Sequence, residues 1–494
     1  MDTALGRIST YRLVLLVLAA LVTYSLLLDL LGWLTFGILA MLLTLAVAVG
    51  VSWGASAIFA RAFGTRLHPE SALITGALLY FLFWPTLAAP DLAGIALAAA
   101  VAAGSKFLLA ARGRHIFNPA AIGALVAGLT GLDISTWWVA APAMLPAVVV
   151  GVVLVLYRTS KVTFAVLFLA VSTALIALQL SAAGMALTPA LAAPLLNRPG
   201  LFLVGFMLTE PLTLPPRRWQ QLSLAVAVGV IFALPFSVGP LYSSPELTLL
   251  IGNLLAFLAG PRRGLLLTFT GARRLTPTSR EYGFALEKPV RFRAGQFMEL
   301  SMPAAGTSDP RGHRRIFSLT SDPNDGGNVS FGLRLTEPSS SFKKSLNQLR
   351  HGDRVRATGI GGDFILPSTP EPLLLLAGGV GITPFISQLR SLRSAATPSD
   401  VVLIYAISGP AEFGYRRELT ELGARLLVLA PTNPGTGEYL GAGQPTAAVL
   451  QAAVPDLAGR RIYVSGSPVF VAGAKAAARD AGGRRIRTDT FWGY

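Results

Sequence analysis

The sequence predicts a multidomain chain in which a polytopic α-helical membrane domain is followed by an antiparallel β-barrel and then a doubly wound α/β domain. Three observations predict it. Apolar residues make up 53% of the 494 residues and charged residues 13%, too apolar a balance for an ordinary soluble protein. The excess is one-sided: Met1–Gly260 carries 12 Lys and Arg against 7 Asp and Glu, and the rest carries 29 against 18. Beyond about residue 265 the long apolar runs stop, and from Pro372 strands alternate with helical stretches. The expected boundaries are 1–262, 263–370 and 371–494.

About ten apolar stretches read as spans: 13–31, 35–59, 71–88, 92–109, 119–131, 138–156, 162–180, 200–210, 222–238 and 246–260. With the N-terminus inside, Arg7, Arg12, Arg61, Arg66, Lys106, Arg112, Arg114, Arg158, Lys161, Arg217, Arg218, Arg262 and Arg263 fall on the inner side, and only Arg198 falls outside. That asymmetry predicts a multi-pass protein of the inner (plasma) membrane with both termini cytoplasmic. The first apolar run is full length and lacks a small-residue cleavage site, so no cleavable signal is expected.

Composition narrows the chemistry. There is no cysteine, which excludes disulfides, iron–sulfur clusters and thiolate metal sites. No metal site is expected. The net charge of +16 includes no basic run interleaved with aromatics, so the expected partner is anionic lipid and not nucleic acid. Haems spanning the bilayer need two axial histidines each, and the membrane half holds only His68 and His115.

Stretches 119–131 and 200–210 are too short to cross as straight helices. Each adjoins a polar, proline-bearing segment, one around Asn118-Pro119 and the other at Thr209-Glu210-Pro211-Leu212-Thr213. Such pairs fit broken helices facing each other at a midplane site, and equally fit interfacial turns where Pro opens the next helix. Gly104-Ser105-Lys106-Phe107, Arg112-Gly113-Arg114-His115-Ile116-Phe117-Asn118-Pro119-Ala120-Ala121 and Phe206-Met207-Leu208-Thr209-Glu210-Pro211 resemble signatures of the D-type membrane component of Rnf electron-transport complexes and of its homologue, the B-type membrane component of the sodium-pumping NADH:quinone reductase. That family normally has Asp where this chain has Glu210. The resemblance implies a flavin among these helices. The Ser-Gly-Ala-Thr sequence that carries covalent FMN there is missing, and the nearest counterpart is Met185-Ala186-Leu187-Thr188. The implied flavin is therefore a non-covalent FMN or riboflavin, with Asn118, Thr209 and Glu210 as the membrane site.

In the second half, Phe284–Leu286, Phe297–Met302, Arg315–Leu319, Val329–Leu335 and Arg354–Ala357 read as short strands of a small barrel. Strands Leu373–Ala377, Val401–Ile407, Leu426–Leu429 and Ile462–Ser465 then alternate with helices 384–395, 411–423 and 468–481. Strand Leu373–Ala377 runs into Gly378-Gly379-Val380-Gly381-Ile382-Thr383-Pro384, where glycines let backbone approach a dinucleotide phosphate. Ser339-Ser340-Ser341-Phe342 opens a helix that suits a pyrophosphate, and a plain serine cap explains it equally. In this order, Gly295-Gln296-Phe297, Arg315-Ile316-Phe317-Ser318, Gly361-Gly362-Asp363-Phe364, the glycine turn, Ser465-Gly466-Ser467-Pro468 and Asp489-Thr490-Phe491-Trp492-Gly493-Tyr494 resemble the ferredoxin–NADP reductase-like flavoproteins. Phe317 stands where that family has Tyr, Ser465 where it has Cys, and the serine helix lacks a usual glycine.

The resemblance implies FAD and either NADH or NADPH as cofactors. It implies FAD contacts from Arg315, Phe317, Ser318, Arg334, Ser340, Ser341, Phe364 and Phe491, and coenzyme contacts from Gly378, Gly379, Gly381, Thr383, Pro384 and Gly466. Ser318, Ser465 and Tyr494 would flank the hydride path. Arginine pairs with phosphate, an aromatic ring covers the isoalloxazine, and a serine near N5 needs only to orient it. The expected activity is NAD(P)H oxidation through FAD, with electrons passed to a membrane flavin, a quinone or a flavin-bearing partner. The alternatives are an ion-translocating or transporter-like unit energised by the reductase, and a membrane anchor for a reductase serving soluble acceptors.

Overall fold

A computed structural model describes residues 10–65, 68–111, 114–211, 213–215, 217–259, 264–302, 314–335, 337, 339–358, 360–395 and 400–491. Arg7, Arg66, Arg112, Gly113, Leu212, Arg262, Arg263, Trp492, Gly493 and Tyr494 lie outside the described residues. The chain divides into two compact units, Ile8–Pro261 and Arg262–Tyr494.

The first unit is helical: α1 Thr10–Leu30, α2 Ile38–Ala62, α3 Pro69–Leu82, α4 Ala89–Leu108, α5 Pro119–Thr130, α6 Leu145–Thr159, α7 Val162–Ala182, α8 Leu187–Asn197, α9 Gly200–Leu208, α10 Arg218–Ala233 and α11 Pro245–Leu258. Proline in the first turn starts α3, α4, α5 and α11, where its missing N–H costs nothing. Among the described residues five helices are long and apolar enough to cross a membrane, counting α6 from Pro142, and α8 with α9 forms a further pair bent by 55°. The helices differ from the expected stretches at particular places. Stretch 138–156 begins as two short 3-10 turns, Trp138–Ala140 and Pro142–Met144, before α6. Helix α8 lies outside the expected spans, and Pro194 within it hides its pattern. Most of α9 is a π-helix, Leu203–Leu208.

Small residues let these helices approach closely. A Cβ on Gly123 of α5 would lie 2.2 Å from the Ala98 carbonyl oxygen of α4, and one on Gly76 of α3 would lie 2.5 Å from Val49 Cα of α2. Glu246, in the first turn of α11, accepts from Ser135 Oγ and Trp137 Nε1, both at 2.9 Å. Outward-facing Leu39, Ile58, Val166 and Leu178 are each at least 60% exposed.

The second unit holds two sheets. In the first, β1 Gly264–Arg274, β2 Ser279–Leu286, β3 Phe297–Ser301, β4 Arg314–Ser318, β5 Asn328–Arg334 and β6 Arg354–Thr358 run antiparallel in the order β4-β3-β6-β1-β2-β5. A bridge from Leu319 to Phe331 joins the two edges into a barrel, filled by Leu267, Phe284, Met298, Leu300, Phe331 and Val355. Strand β1 is an addition to the expected barrel strands. A short helix, α12 Ser341–Asn347, lies between β5 and β6.

The second sheet is parallel, in the order β10-β9-β8-β7-β11-β12: β7 Leu373–Gly378, β8 Val401–Ala406, β9 Arg425–Leu429, β10 Glu438–Gly441, β11 Arg461–Gly466 and β12 Arg485–Thr490. Helices α13 Thr383–Ser394 and α14 Arg416–Glu421 cover one face through Phe385, Ile386, Leu389 and Leu419. Helices α15 Ala447–Ala453 and α16 Pro468–Asp480 cover the other through Leu450, Val471 and Ala474. This is the expected doubly wound layout, with β10, β12 and α15 added to it.

Gly123→Ala is expected to destabilise the helical unit by about 1–3 kcal/mol through overpacking, whereas Gly128→Ala on the same helix, where an added Cβ meets nothing within 4 Å, is expected to be neutral. Thermal melting of the purified chain checks the pair; equal melting temperatures would show that α4 and α5 do not pack this closely.

Candidate functional site

Strand β4 pairs with β3 so that Ser318 faces Phe297 and Arg315 faces Leu300. Arg315 is 5% exposed. Its Nη1 donates to the Arg314 carbonyl at 2.7 Å, and its guanidinium lies 5.4 Å from the Phe342 ring centre. The Phe317 ring lies tilted 5.6 Å from that of the same Phe342 and 6.3 Å from that of Phe331. The Arg-x-Phe-Ser strand and the serine helix, separate in sequence, thus meet through Phe342. Ser340 Oγ accepts from Lys343 N at 3.3 Å and so caps α12, with its O–H still able to donate. Ser341 is buried in the first turn.

Strand β7 is buried until it ends in the turn Gly379–Ile382. Gly379 takes φ +54°, and a Cβ there would meet nothing within 4 Å. Gly381 is forced by proximity, since its Cβ would stand 2.3 Å from the Ser465 carbonyl oxygen. Thr383 Oγ1 donates to the Val380 carbonyl at 3.0 Å, and Pro384 stands in the first turn of α13. A shallow cleft is lined by Arg334, Gly379, Val380, Thr383, Ser408 and Tyr415, among others. Arg334 reaches it from β5, with Nε donating to Thr278 Oγ1 at 3.3 Å. The fold thus sets Arg334 beside the glycine turn.

At the end of β11, Ser465 is fully buried and its hydroxyl meets no partner. Asp489 of β12 lies in register with Ser465, and Phe491 N donates to the Gly466 carbonyl at 2.8 Å. Burial, reinforced by nearby Asp363, pushes the Asp489 carboxyl up to about 7. Phe364 does not join the others: it is 6% exposed in the core of the parallel sheet, 5.6 Å from Phe385 and 5.2 Å from Tyr463. The apolar core takes the ring, so its packing is what the structure shows.

In the helical unit, Asn118 and Glu210 meet. Asn118 Nδ2 donates to Glu210 Oε2 at 3.2 Å, and His115 Nε2 lies 2.9 Å from Glu210 Oε1. Asn118 Oδ1 caps α5 by accepting from Ala121 N at 3.2 Å, while Asn118 N donates to Asn253 Oδ1 of α11 at 2.7 Å. Lys106 Nζ donates to the Ser71 carbonyl and hydroxyl at 2.9 and 3.1 Å. Thr209 turns away: its hydroxyl donates at 3.3 Å to Gly205 within its own helix. Sequence reasoning missed Asn253, although a buried asparagine in an apolar helix is itself a signal. Among the described residues no group of three or more His, Asp or Glu is placed to hold a metal.

A model of the oxidoreductase NAD-binding domain matches residues 375–476. The reductase subunit of an aromatic O-demethylase from an Amycolatopsis species is 30% identical over 243 residues, covering 47% of this chain and 70% of that protein. Ferredoxin–NADP reductase B of Sorangium cellulosum is 30% identical over 211 residues, covering 41% and 82%. The ferredoxin reductase component of the 3-ketosteroid-9-alpha-monooxygenase of Mycolicibacterium smegmatis is 29% identical, and the chain spans 58% of it. The structure of phthalate dioxygenase reductase is 18% identical, with a TM-score of 0.39 over 46% of this chain and 68% of that one. With two such reductases at 30% identity covered over at least 70% of their length, the chain belongs to the ferredoxin reductase-like family of NAD(P)H-dependent, FAD-containing oxidoreductases.

Proposed function

We propose that the chain is a membrane-bound reductase, in which NAD(P)H is oxidised at the second unit and electrons leave to an acceptor in or across a membrane formed around the first. The observation that carries the first part is the assembly of Arg315, Phe317 and Phe342 in the unit that also presents the glycine turn. These residues fit FAD. Arg315 offers a guanidinium for a phosphate, Phe317 a ring for the isoalloxazine, and the buried Ser465 hydroxyl, with no protein partner, an unspent donor near the nicotinamide end. Gly379, Thr383 and Arg334 line the cleft, and a glycine turn at a helix start suits a dinucleotide pyrophosphate there. Bound there, FAD supplies the conversion between a two-electron donor and one-electron acceptors. No acid or base is required for the hydride step, so the residues act by binding and orientation.

The membrane part rests on the five long apolar helices and on outward-facing Leu39, Ile58 and Leu178, each about two-thirds exposed. Such surface is costly in water and favourable in lipid. The acceptor is a membrane flavin, a quinone or an electron-carrying partner, and the cluster of Asn118, His115 and Glu210 is where the helical unit would hold it. Reductases of oxygenase systems are among the relatives, so a protein acceptor belongs in the same assay.

Purified full-length protein is expected to retain FAD and to oxidise NADH or NADPH with an artificial acceptor. Arg315→Ala should weaken FAD retention about tenfold to a hundredfold, as loss of a charged hydrogen bond worth roughly 1.5–3 kcal/mol implies. Bound flavin counted after gel filtration checks this, and a protein that cannot be loaded with FAD would sink the reading. Glu210→Gln and Asn118→Leu are expected to leave the artificial-acceptor activity unchanged while reducing electron delivery to the membrane acceptor by about tenfold or more. Both activities are measured in the same membranes; if neither variant separates them, the first unit serves only as an anchor.

A further inference from the structure

We infer that Glu281 and Arg390 are positioning residues for hydride transfer, joined with Tyr415 and Glu418 in a network that fixes the nucleotide-binding helix α13 against the strand carrying Ser318. The inference rests on the NAD(P)H-to-flavin reading and adds how the two halves of that site are kept in register.

Helix α13 begins at the glycine turn and presents Thr383, Ser387, Arg390 and Ser394 at helical spacing to the barrel. Ser387 Oγ donates to the Ser321 carbonyl at 2.7 Å, Arg390 Nη1 to the Thr320 carbonyl at 2.6 Å, and Ser394 Oγ to the Asp322 carboxylate. Thr320 is two residues beyond Ser318. Gly332 of β5 leaves no slack, since a Cβ there would stand 2.5 Å from Tyr415 Oη and 2.7 Å from Thr383 Cγ2.

Buried Glu281, from β2, anchors this seam. Its Oε1 accepts from Thr320 Oγ1 at 2.7 Å, Tyr415 Oη at 3.2 Å and Arg390 Nη1 at 3.3 Å, and its Oε2 accepts from Arg273 at 2.7 Å. Arg390 also holds the Glu418 carboxylate through Nε at 2.5 Å and Nη2 at 2.9 Å. Burial alone pushes the Glu281 carboxyl up, but Arg390, the Thr320 hydroxyl and Arg273 outweigh it and hold the group below its ordinary range. A displacement of α13 along the barrel would strand these charges, so the glycine turn keeps its distance from Ser318 without a domain closure.

The test uses the FAD-loaded full-length chain and follows anaerobic flavin reduction by NADH and by NADPH. Glu281→Gln and Arg390→Lys should lower the limiting reduction rate about tenfold or more, as a misplacement of about 1 Å allows, with FAD content and the nucleotide dissociation constant within about twofold of the parent. Amide exchange over 320–322 and α13 should rise in the absence of nucleotide while exchange in the helical unit stays unchanged. If Glu281→Gln fails to hold FAD, Thr320→Val decides, because it removes one hydroxyl from the network, keeps the side-chain shape and lies outside the cleft lining: a slower limiting rate at an unchanged dissociation constant supports the inference. A parental rate in FAD-replete Thr320→Val and Arg390→Lys overturns it. A parent chain whose flavin is reduced by neither nucleotide fails the hydride reading instead, a separate result.

Discussion

Because Arg390 places Nε and Nη2 on Glu418 and Nη1 on both Glu281 and the Thr320 carbonyl, two sheets that share no strand ladder are held at a fixed spacing. The Arg390 side chain keeps only 20% of its surface exposed, and its partners come from both layers, Glu281 from barrel strand β2 and Glu418 from α14, which covers the parallel sheet. The barrel therefore cannot slide against the parallel sheet without separating these largely desolvated charges. The rest of the second unit follows from this. The glycine turn needs Gly381 because β11 is pressed against it, and Gly332 must be bare because Tyr415 and Thr383 occupy the space a side chain would need.

The helical unit solves a related problem by different means. Its helices pack through small residues, which gives close contact and little directional preference. Direction comes from a few polar side chains: Asn118 reaches Glu210 and Asn253, and Glu246 takes both Ser135 and Trp137. Each of these bonds joins segments that are far apart in the chain. In a low-dielectric interior such bonds discriminate strongly between the right register and a slipped one.

What the sequence made legible was local. The glycine turn and Pro384, the Arg-x-Phe-Ser strand and the polar Asn118 and Glu210 segments each carry their signal within a few residues, and the structure forms a turn, a strand and two helix ends there. Strand β1 escapes a sequence reading because Gly264–Arg274 mixes leucines, a bulge-forming Gly271 and two arginines with no clean alternation. Helix α8 escapes it because Pro189 and Pro194 look like breakers. Phe364 marks a limit of such reading, because a single aromatic beside a glycine pair does not say whether it faces a ligand or a core. The Glu281–Arg390 pair is invisible for a different reason: its members are separated by 109 residues, and no local pattern marks a contact that only the tertiary fold creates.

The π-helical turn at Leu203–Leu208 bears on how this architecture could have arisen and how it can be altered. A π segment houses one residue more than the α-helix it interrupts, so it acts as a register insertion just ahead of Thr209 and Glu210. Deleting one residue within it would restore regular winding and swing everything downstream by about 100° around the helix axis. Glu210 would then leave His115 and Asn118, with no change in the identity of any of the three. The joining of two distant halves of the helical unit thus hangs on the count of residues in a single turn, a form of constraint that aligning side-chain types alone would not reveal.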